Sequence, residues 1–217
     1  MADLKPATIE ALSRLKVIPV VSLPDAALAE PLGDALVQAG LGCVEVTFRT
    51  DAAEKAIRVL SRRGDLFVAA GTVLHREQAK RALDAGARCL LSPGTDPALI
   101  QWCIADRADI IPGVATPTDI LLAMRLGLST LKFFPAETMG GVAALKSIAG
   151  PFPDLRFVPT GGVCPDNLAD YLALPNVLAC GGSWMVREPL LAQRDFDSIQ
   201  RLAAQAVSLI RASFNFT

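Results

Sequence analysis

Short apolar runs alternate with longer amphipathic segments along the whole chain. Each run is a few residues long, is rich in branched side chains and ends at glycine, proline or polar residues, which is typical of a buried strand. Between the runs, apolar residues recur every three or four positions, the period of a helix with one buried face. The predicted strands are Val17–Val21, Cys43–Phe48, Leu66–Ala70, Arg88–Leu91, Ala108–Ile111, Thr130–Phe134, Arg156–Pro159 and Val177–Cys180.

Capping residues and glycine stops give the bounds of the predicted helices. These helices are Thr8–Leu15, Asp25–Gln38, Thr50–Arg62, His75–Asp84, Asp96–Ala105, Thr116–Leu126, Thr138–Ala149 and Pro165–Leu172. A long amphipathic helix closes the chain, with apolar positions at Phe196, Ile199, Leu202, Ala206 and Ile210.

The strict alternation of strand and helix predicts the fold class. Eight such units after one extra N-terminal helix indicate an α/β protein, a single (β/α)8 barrel domain over residues 1–217. Near-continuous apolar strands fit a parallel sheet that is covered on both faces. The rival architecture is an open, doubly wound sheet. Because no Gly-x-Gly-x-x-Gly follows the first strand, a dinucleotide-binding version of that sheet is disfavoured.

The composition of the chain limits the kinds of partner that it is expected to bind. With 217 residues, 52% of them hydrophobic, and a net charge of −1, the chain suits one domain with a large core. The absence of a basic block argues against nucleic acid as a partner. The longest uncharged run, residues 171–186, is interrupted by Pro175, Gly181 and Gly182, so no membrane-spanning helix is predicted.

Cysteine and histidine usage bears on metals and location. The five cysteines are scattered without paired spacing, which indicates buried, reduced thiols. His75 is the one histidine and the cysteines show no paired spacing, so we expect no zinc site. A carboxylate site for magnesium stays open, although no motif indicates one. The N-terminus carries charged residues and no apolar signal region, which predicts a cytoplasmic protein.

Lys132 is the most unusual residue, because it stands inside the apolar run 128–137. An unpaired ammonium in apolar surroundings is costly, so the residue must reach water, pair with a carboxylate or be partly neutral. A neutral amine on a rigid strand can attack a carbonyl and form a Schiff base. The alternative is a strand-end lysine whose ammonium extends to solvent.

The second strand carries two charged residues on one face. Strand alternation places Glu45, Thr47 and Arg49 together, and we expect them to point into the barrel. The natural partners of Glu45 are Arg49 and Lys132. Glu45 would then move protons while Arg49 holds a carboxylate. The alternative is a purely structural network of salt bridges.

Two Gly-Gly pairs end the last two predicted strands, in Pro159–Val163 and Cys180–Trp184. Glycines there expose backbone N–H groups that an anion can approach closely. The loops after strands seven and eight are where barrels commonly bind phosphate. The alternative is a pair of ordinary tight turns, which is also the default for the turns at Gly71-Thr72 and Ser92-Pro93-Gly94.

Six segments, in order and over nearly the whole chain, resemble the 2-keto-3-deoxy-6-phosphogluconate (KDPG) aldolase family, whose members often also cleave 4-hydroxy-2-oxoglutarate. They are Glu45–Thr50, Ala70–Leu74, Ser92–Gly94, Lys132–Glu137, Pro159–Val163 and Gly181–Trp184. Two residues depart from the family pattern: Phe48 stands where leucine is expected, and Ala69 stands where glycine is common. Neither lies on the polar face of its strand.

The resemblance implies a class I aldolase of the Entner–Doudoroff pathway without metal or cofactor, assembled as a homotrimer. Lys132 would be the Schiff-base lysine and Glu45 the general acid/base. The substrate-binding residues that the resemblance implies are Arg49 and Thr72 for the pyruvate carboxylate, Pro93 and Phe134 around it, and Thr160, Gly161, Gly162, Gly182 and Ser183 at the phosphate.

Two alternatives stay open. One is a different substrate, either the phosphogalactonate epimer or an unphosphorylated 4-hydroxy-2-oxoacid; Thr160 favours the gluconate by resemblance only. The other is a phosphosugar-binding barrel, an isomerase or a sensor, in which Lys132 is an electrostatic ligand and forms no imine.

Overall fold

The computed structural model describes residues 4–214, so the first and last three residues of the predicted domain lie outside it. Its strands are β1 Val17–Val21, β2 Cys43–Thr47, β3 Phe67–Gly71, β4 Cys89–Leu91, β5 Ile110–Ile111, β6 Gly113–Val114, β7 Thr130–Phe133, β8 Arg156–Phe157 and β9 Cys180–Gly182. Its helices are α1 Pro6–Leu15, α2 Ala29–Gln38, α3 Ala53–Arg62, α4 Arg76–Asp84, α5 Pro97–Ala105, α6 Pro117–Arg125, α7 Gly141–Ala149, α8 Leu168–Leu172, α9 Glu188–Ala192 and α10 Phe196–Phe214.

The strands form two curled parallel sheets. One has the order β5-β4-β3-β2-β1-β9 and the other the order β6-β7-β8. Two isolated parallel bridges lie between these sheets: Phe157 of β8 pairs with Val177, which precedes β9, and Thr160, which follows β8, pairs with Gly181 of β9. Strand β5 falls within the fifth predicted strand, Ala108–Ile111, whereas β6 was not predicted and follows Pro112, a residue with no N–H to donate. The result is an α/β fold in which a parallel sheet curls like a barrel.

The helices pack one face against this sheet. In α3 the buried residues are Ala53, Ala56, Ile57 and Leu60, spaced as one helical stripe. Predicted caps are present at Asp25, Asp96 and Thr116, and Thr116 forms a reciprocal capping box with Asp119. No helix in residues 4–214 is long and apolar enough to cross a membrane.

Several boundaries differ from the prediction. The eighth strand was predicted at 177–180, whereas β9 begins at Cys180, because its pairing with Val17, Ile18 and Pro19 of β1 runs through Gly182. The seventh helix begins at Gly141, since Gly140 has a left-handed φ of 98°. Helix α9 was not predicted, and the segment predicted as one helix from Asp25 opens as a 3-10 turn over Ala26–Leu28.

The N-terminal helix is fastened to the end of the sheet where the strands begin. Asp109, next to β5, is buried and accepts a hydrogen bond from Thr8 Oγ1 at 2.5 Å and another from the Lys5 backbone N–H at 3.1 Å. These contacts lie at the opposite end of the strands from the polar residues of the predicted site.

Candidate active site

The ammonium of Lys132 meets the carboxylate of Glu45 inside the curled sheet. Nζ lies 3.1 Å from Oε1, and both side chains are almost completely buried, with 6% and 1% of their surfaces exposed. Glu45 is on β2 and Lys132 on β7, which belong to different sheets, so the pair forms across the interior. Of the two partners expected for Glu45, the structure therefore pairs it with Lys132.

Gly71 makes room for this carboxylate. It pairs with Thr47 of β2, and a methyl group at its Cα would overlap Oε1 of Glu45. The second oxygen, Oε2, is buried without a hydrogen-bond partner in the described part of the chain. A carboxylate oxygen in that state can accept a proton or a hydrogen bond from a bound molecule.

Arg49 and Thr72 form a second polar contact. The Nε–H of Arg49 donates to Thr72 Oγ1 at 3.2 Å. Thr72 directly follows β3 and has a φ of 55°, a left-handed conformation that is rare for a β-branched residue. Such strained residues cluster at functional sites, where the surrounding structure holds them in place.

Phe134 and Pro93 flank the lysine. The Phe134 ring centroid lies 5.3 Å from Lys132 Nζ, within the range of a cation–π contact. Gly113 is the β6 register partner of Lys132, and a methyl group on it would overlap the Pro93 carbonyl. The Thr95 hydroxyl donates to the Gly113 carbonyl at 2.7 Å, so the Pro93 loop is held against the lysine strand.

A cavity of about 700 Å³ opens at the carboxyl ends of the strands. The predicted site residues that line it are Arg49, Phe134, Thr160, Gly161, Gly162, Gly182 and Ser183. Glu45, Thr72, Pro93 and Lys132 are not among its lining residues. Lys132 contacts Phe134, and Thr72 accepts a hydrogen bond from Arg49. Because Phe134 and Arg49 line the cavity, Lys132 and Thr72 lie one residue away from it.

The two glycine turns, as we name Gly161-Gly162 in the bend after β8 and Gly181-Gly182 at the carboxyl end of β9, are shaped by close contacts. Gly161 and Gly162 have φ values of 98° and 83°, which L-residues with side chains rarely adopt. The Glu137 side chain packs beneath Gly162, and its carboxylate accepts a hydrogen bond from the buried Tyr171 hydroxyl. Gly182 lies so close to the Trp184 ring that a methyl group would overlap it.

Four further polar residues line the cavity that were not predicted as site residues: Ser22, Thr50, Arg187 and Glu188. Ser22 directly follows β1, and its hydroxyl lies 2.7 Å from that of Thr47, a member of the polar face predicted on β2. Arg187 lies five residues after Gly182. Ser22 could have been predicted from the sequence, because it is a polar residue directly after a predicted strand, at the end of the barrel where active sites lie.

The remaining reactive groups are poor candidates for catalysis. The described residues contain no group of three or more His, Cys, Asp or Glu side chains placed to hold a metal ion. All five cysteines are unpaired, and burial raises the pKa of the Cys103 thiol to about 12, so this thiol stays protonated at neutral pH.

A barrel-like parallel fold with a lysine and a carboxylate paired in its interior has the groups that an imine-forming enzyme needs for a small carbonyl compound. Comparison with known proteins gives the family. The KDPG and KHG aldolase family matches residues 8–202, so the chain belongs to that family and is an aldolase, a carbon–carbon lyase.

Individual relatives agree over most of their length. The 2-dehydro-3-deoxy-phosphogluconate aldolase of Treponema pallidum is 46% identical over 202 residues, which cover 93% of this chain and 96% of that protein. The KDPG aldolase structure from Zymomonas mobilis has a TM-score of 0.86 at 41% identity, covering 91% of this chain and 95% of that chain.

A third relative was solved with a reaction intermediate. The KDPG aldolase of Legionella pneumophila, at 36% identity and a TM-score of 0.87, covers 90% of this chain and 96% of that one. Its crystal structure contains pyruvate captured at low pH as a covalent carbinolamine.

Proposed function

We propose that this chain is a class I aldolase that cleaves 2-dehydro-3-deoxy-6-phosphogluconate into pyruvate and glyceraldehyde 3-phosphate. We propose 4-hydroxy-2-oxoglutarate, cleaved to pyruvate and glyoxylate, as a second substrate. The proposal rests above all on the buried Lys132–Glu45 pair, with 3.1 Å between Nζ and Oε1. Family membership and the carbinolamine of the Legionella relative support it.

The Lys132–Glu45 pair supplies the nucleophile. Transfer of one proton from Nζ to Oε1 turns a buried ion pair into a neutral amine and a neutral acid, and the hydrogen bond between them permits this directly. The amine attacks the C2 carbonyl of the sugar acid. Glu45 then donates a proton to the carbinolamine oxygen, which leaves as water and gives the iminium.

The iminium is the electron sink for carbon–carbon cleavage. Glu45, again a carboxylate, takes the C4 hydroxyl proton as the C3–C4 bond breaks, and the bond electrons form an enamine on C3. The aldehyde leaves, C3 is reprotonated, and water releases pyruvate from Lys132. Low dielectric around the pair strengthens these charge interactions relative to water.

The remaining predicted residues bind the two anionic ends of the substrate. Arg49, with Thr72, would hold the pyruvate carboxylate, since a guanidinium matches a carboxylate in bidentate geometry. Pro93 and Phe134 would shape that pocket. The backbone N–H groups of Gly161, Gly162 and Gly182, the Ser183 hydroxyl and the neighbouring Thr160 would receive the phosphate end.

Borohydride trapping tests the nucleophile. Incubation with pyruvate and borohydride should add one pyruvate-derived mass per chain, located on Lys132 by peptide mass spectrometry. Lys132→Arg should abolish trapping and activity, because a guanidinium stays protonated. Lys146→Arg, at an exposed lysine of α7, is the matched control and should behave as wild type. Labelling of another lysine would show that Lys132 is not the nucleophile, and no labelling at all would favour a phosphosugar-binding barrel without imine chemistry.

We also infer one closed barrel domain of eight strands over residues 1–217. The inference is supported by the two isolated bridges beside β9 and by the continuity of β5 and β6 around Pro112. A crystal structure tests closure through the backbone hydrogen bonds on both sides of β9.

We propose that three copies assemble in the cytoplasm. Leu121 and Met124 are exposed one turn apart on α6, as expected for residues that a second copy covers, and the free thiols suit a reducing compartment. Light scattering after size-exclusion chromatography should give three times the mass of the chain, and Leu121→Glu should lower it. Cell fractionation tests the compartment.

A further inference from the structure

The proposed phosphate end of the cavity contains a cation in addition to its neutral donors. Among the described residues that line the cavity, two are positively charged, Arg49 and Arg187. Arg49 is bonded to Thr72 beside the proposed carboxylate pocket. Arg187 shares the cavity wall with Ser183 and with the glycines of both turns.

The guanidinium of Arg187 is anchored at one edge. Its Nε–H donates to the carbonyl of Trp184 at 2.9 Å, across a turn closed by a bond from the Val186 N–H to the Ser183 carbonyl at 3.1 Å. This bond uses one of the five donor hydrogens and limits the positions the side chain can take. The two terminal nitrogens remain available as a fork for an oxyanion.

No ion pair engages Arg187 within residues 4–214. The neighbouring acid, Glu188, also lines the cavity, but none of the salt bridges in that part of the chain joins the two side chains. The charge of Arg187 is therefore free to act on an anion, offset in part by the field of Glu188.

We propose that Arg187 is a specificity-determining residue that binds the substrate phosphate together with the two glycine turns. This inference rests on the proposed function and adds to it a charged ligand for the distal end of the substrate. The sugar acid carries a carboxylate at C1 and a phosphate at C6, and Arg49 and Arg187 supply one cation for each. A neutral backbone cradle orients a phosphate, whereas a guanidinium also supplies charge, which a phosphate-free substrate cannot use.

Paired substrates that differ only in the phosphate give the test. For Arg187→Ala, kcat/KM on 2-dehydro-3-deoxy-6-phosphogluconate should fall about tenfold, which corresponds to about 1.4 kcal/mol for an exposed charge-assisted contact. On unphosphorylated 2-dehydro-3-deoxygluconate the loss should stay below about twofold by the same reasoning. Arg187→Lys should recover part of the loss, because a point charge remains but the fork is lost. Added salt should narrow the difference between wild type and Arg187→Ala.

Arg201→Ala is the matched control. Arg201 is an α10 cation whose guanidinium bonds the Ser198 hydroxyl at 2.7 Å, and it does not line this cavity. The variant removes the same charge from the chain, so it should leave the ratio of the two kcat/KM values at the wild-type level. An equal change in this control would mean that Arg187 acts only through net charge and would overturn the proposal.

Direct binding of inorganic phosphate separates this inference from the aldolase assignment. Calorimetry should show about tenfold weaker phosphate binding by Arg187→Ala than by wild type. Equal phosphate affinities, or equal losses on both sugar acids, would refute the role of Arg187 even if pyruvate trapping on Lys132 succeeds. If trapping fails in the wild type, the phosphate measurement still decides the inference, because it requires no turnover.

Discussion

At the scale of single residues, the Lys132–Glu45 pair dominates the chemistry. Each charge alone would be very costly at this depth, and the pair offsets much of that cost without removing it. In the proposed mechanism one proton moved between the two groups yields the nucleophile, so the pair would serve catalysis more than stability. Glu45 Oε2, buried without a hydrogen-bond partner in residues 4–214, would be a further acceptor in that mechanism.

Kinetics can separate the proposed roles of Glu45 and Arg49. Glu45→Gln should lower kcat by about 10²- to 10⁴-fold, because an amide cannot transfer the protons of dehydration and cleavage. Arg49→Ala should mainly raise KM and weaken pyruvate binding, since it removes a carboxylate ligand. Steady-state kinetics and pyruvate titration measure both, and circular dichroism melts check the fold. If both variants lost stability and neither changed kinetics, the pair and Arg49 would be a structural network.

At the scale of elements, two strand glycines leave room for neighbouring groups of the proposed site. Gly71 on β3 admits the Glu45 carboxylate, and Gly113 on β6 admits the Pro93 carbonyl. Strand β3 pairs in parallel with β2, which carries Glu45, and β6 pairs in parallel with β7, which carries Lys132. The glycines are thus part of the site although they carry no reactive group.

Gly71→Ala tests this positioning. The added methyl group should push the Glu45 carboxylate away from Lys132 and lower kcat by about a hundredfold, as displacements of about 1 Å can do. Gly42→Ala, just before β2, is the control, because its methyl group would have only ordinary contact with the Asp65 carbonyl, at 3.5 Å. Wild-type kcat in Gly71→Ala would show that the carboxylate position is not critical.

At the scale of the whole molecule, the two ends of the sheet have different tasks. The cavity, the amine and the glycine turns lie where the strands end, while Asp109 fastens α1 where the strands begin. We expect the contacts at the second end to serve stability, because barrel enzymes place their active sites at the carboxyl ends of the strands.

Asp109→Ala should therefore destabilise the protein and leave catalysis intact. It strips the Thr8 hydroxyl and the Lys5 N–H of their acceptor, which should cost about 1–3 kcal/mol in the free energy of unfolding. Urea denaturation measures that loss, and kcat/KM for the sugar acid should stay at the wild-type value. The exposed Asp106→Ala is the control and should change neither quantity. A loss of kcat/KM in Asp109→Ala would contradict the separation of the two ends.

Much of this protein follows from its sequence alone. Periodicity is a local property, so the apolar runs and caps predicted the strand–helix order to within a few residues over most of the chain. The sequence also shows that Lys132 and Glu45 are unusual, because each is a charged residue within a predicted buried strand. Burial of a charge is costly in any fold, so this signal does not depend on tertiary structure.

Tertiary structure decided the rest. It paired Glu45 with Lys132 and Arg49 with Thr72, because β2 and β7 face each other across the interior and β2 and β3 are neighbours. It shifted β9 to Cys180–Gly182, since that strand takes its bounds from the edge of β1. It also brought Arg187 beside glycines far away in the chain. Such contacts depend on how the sheet curls and on the space between side chains. The local pattern of polar and apolar residues predicts neither of these.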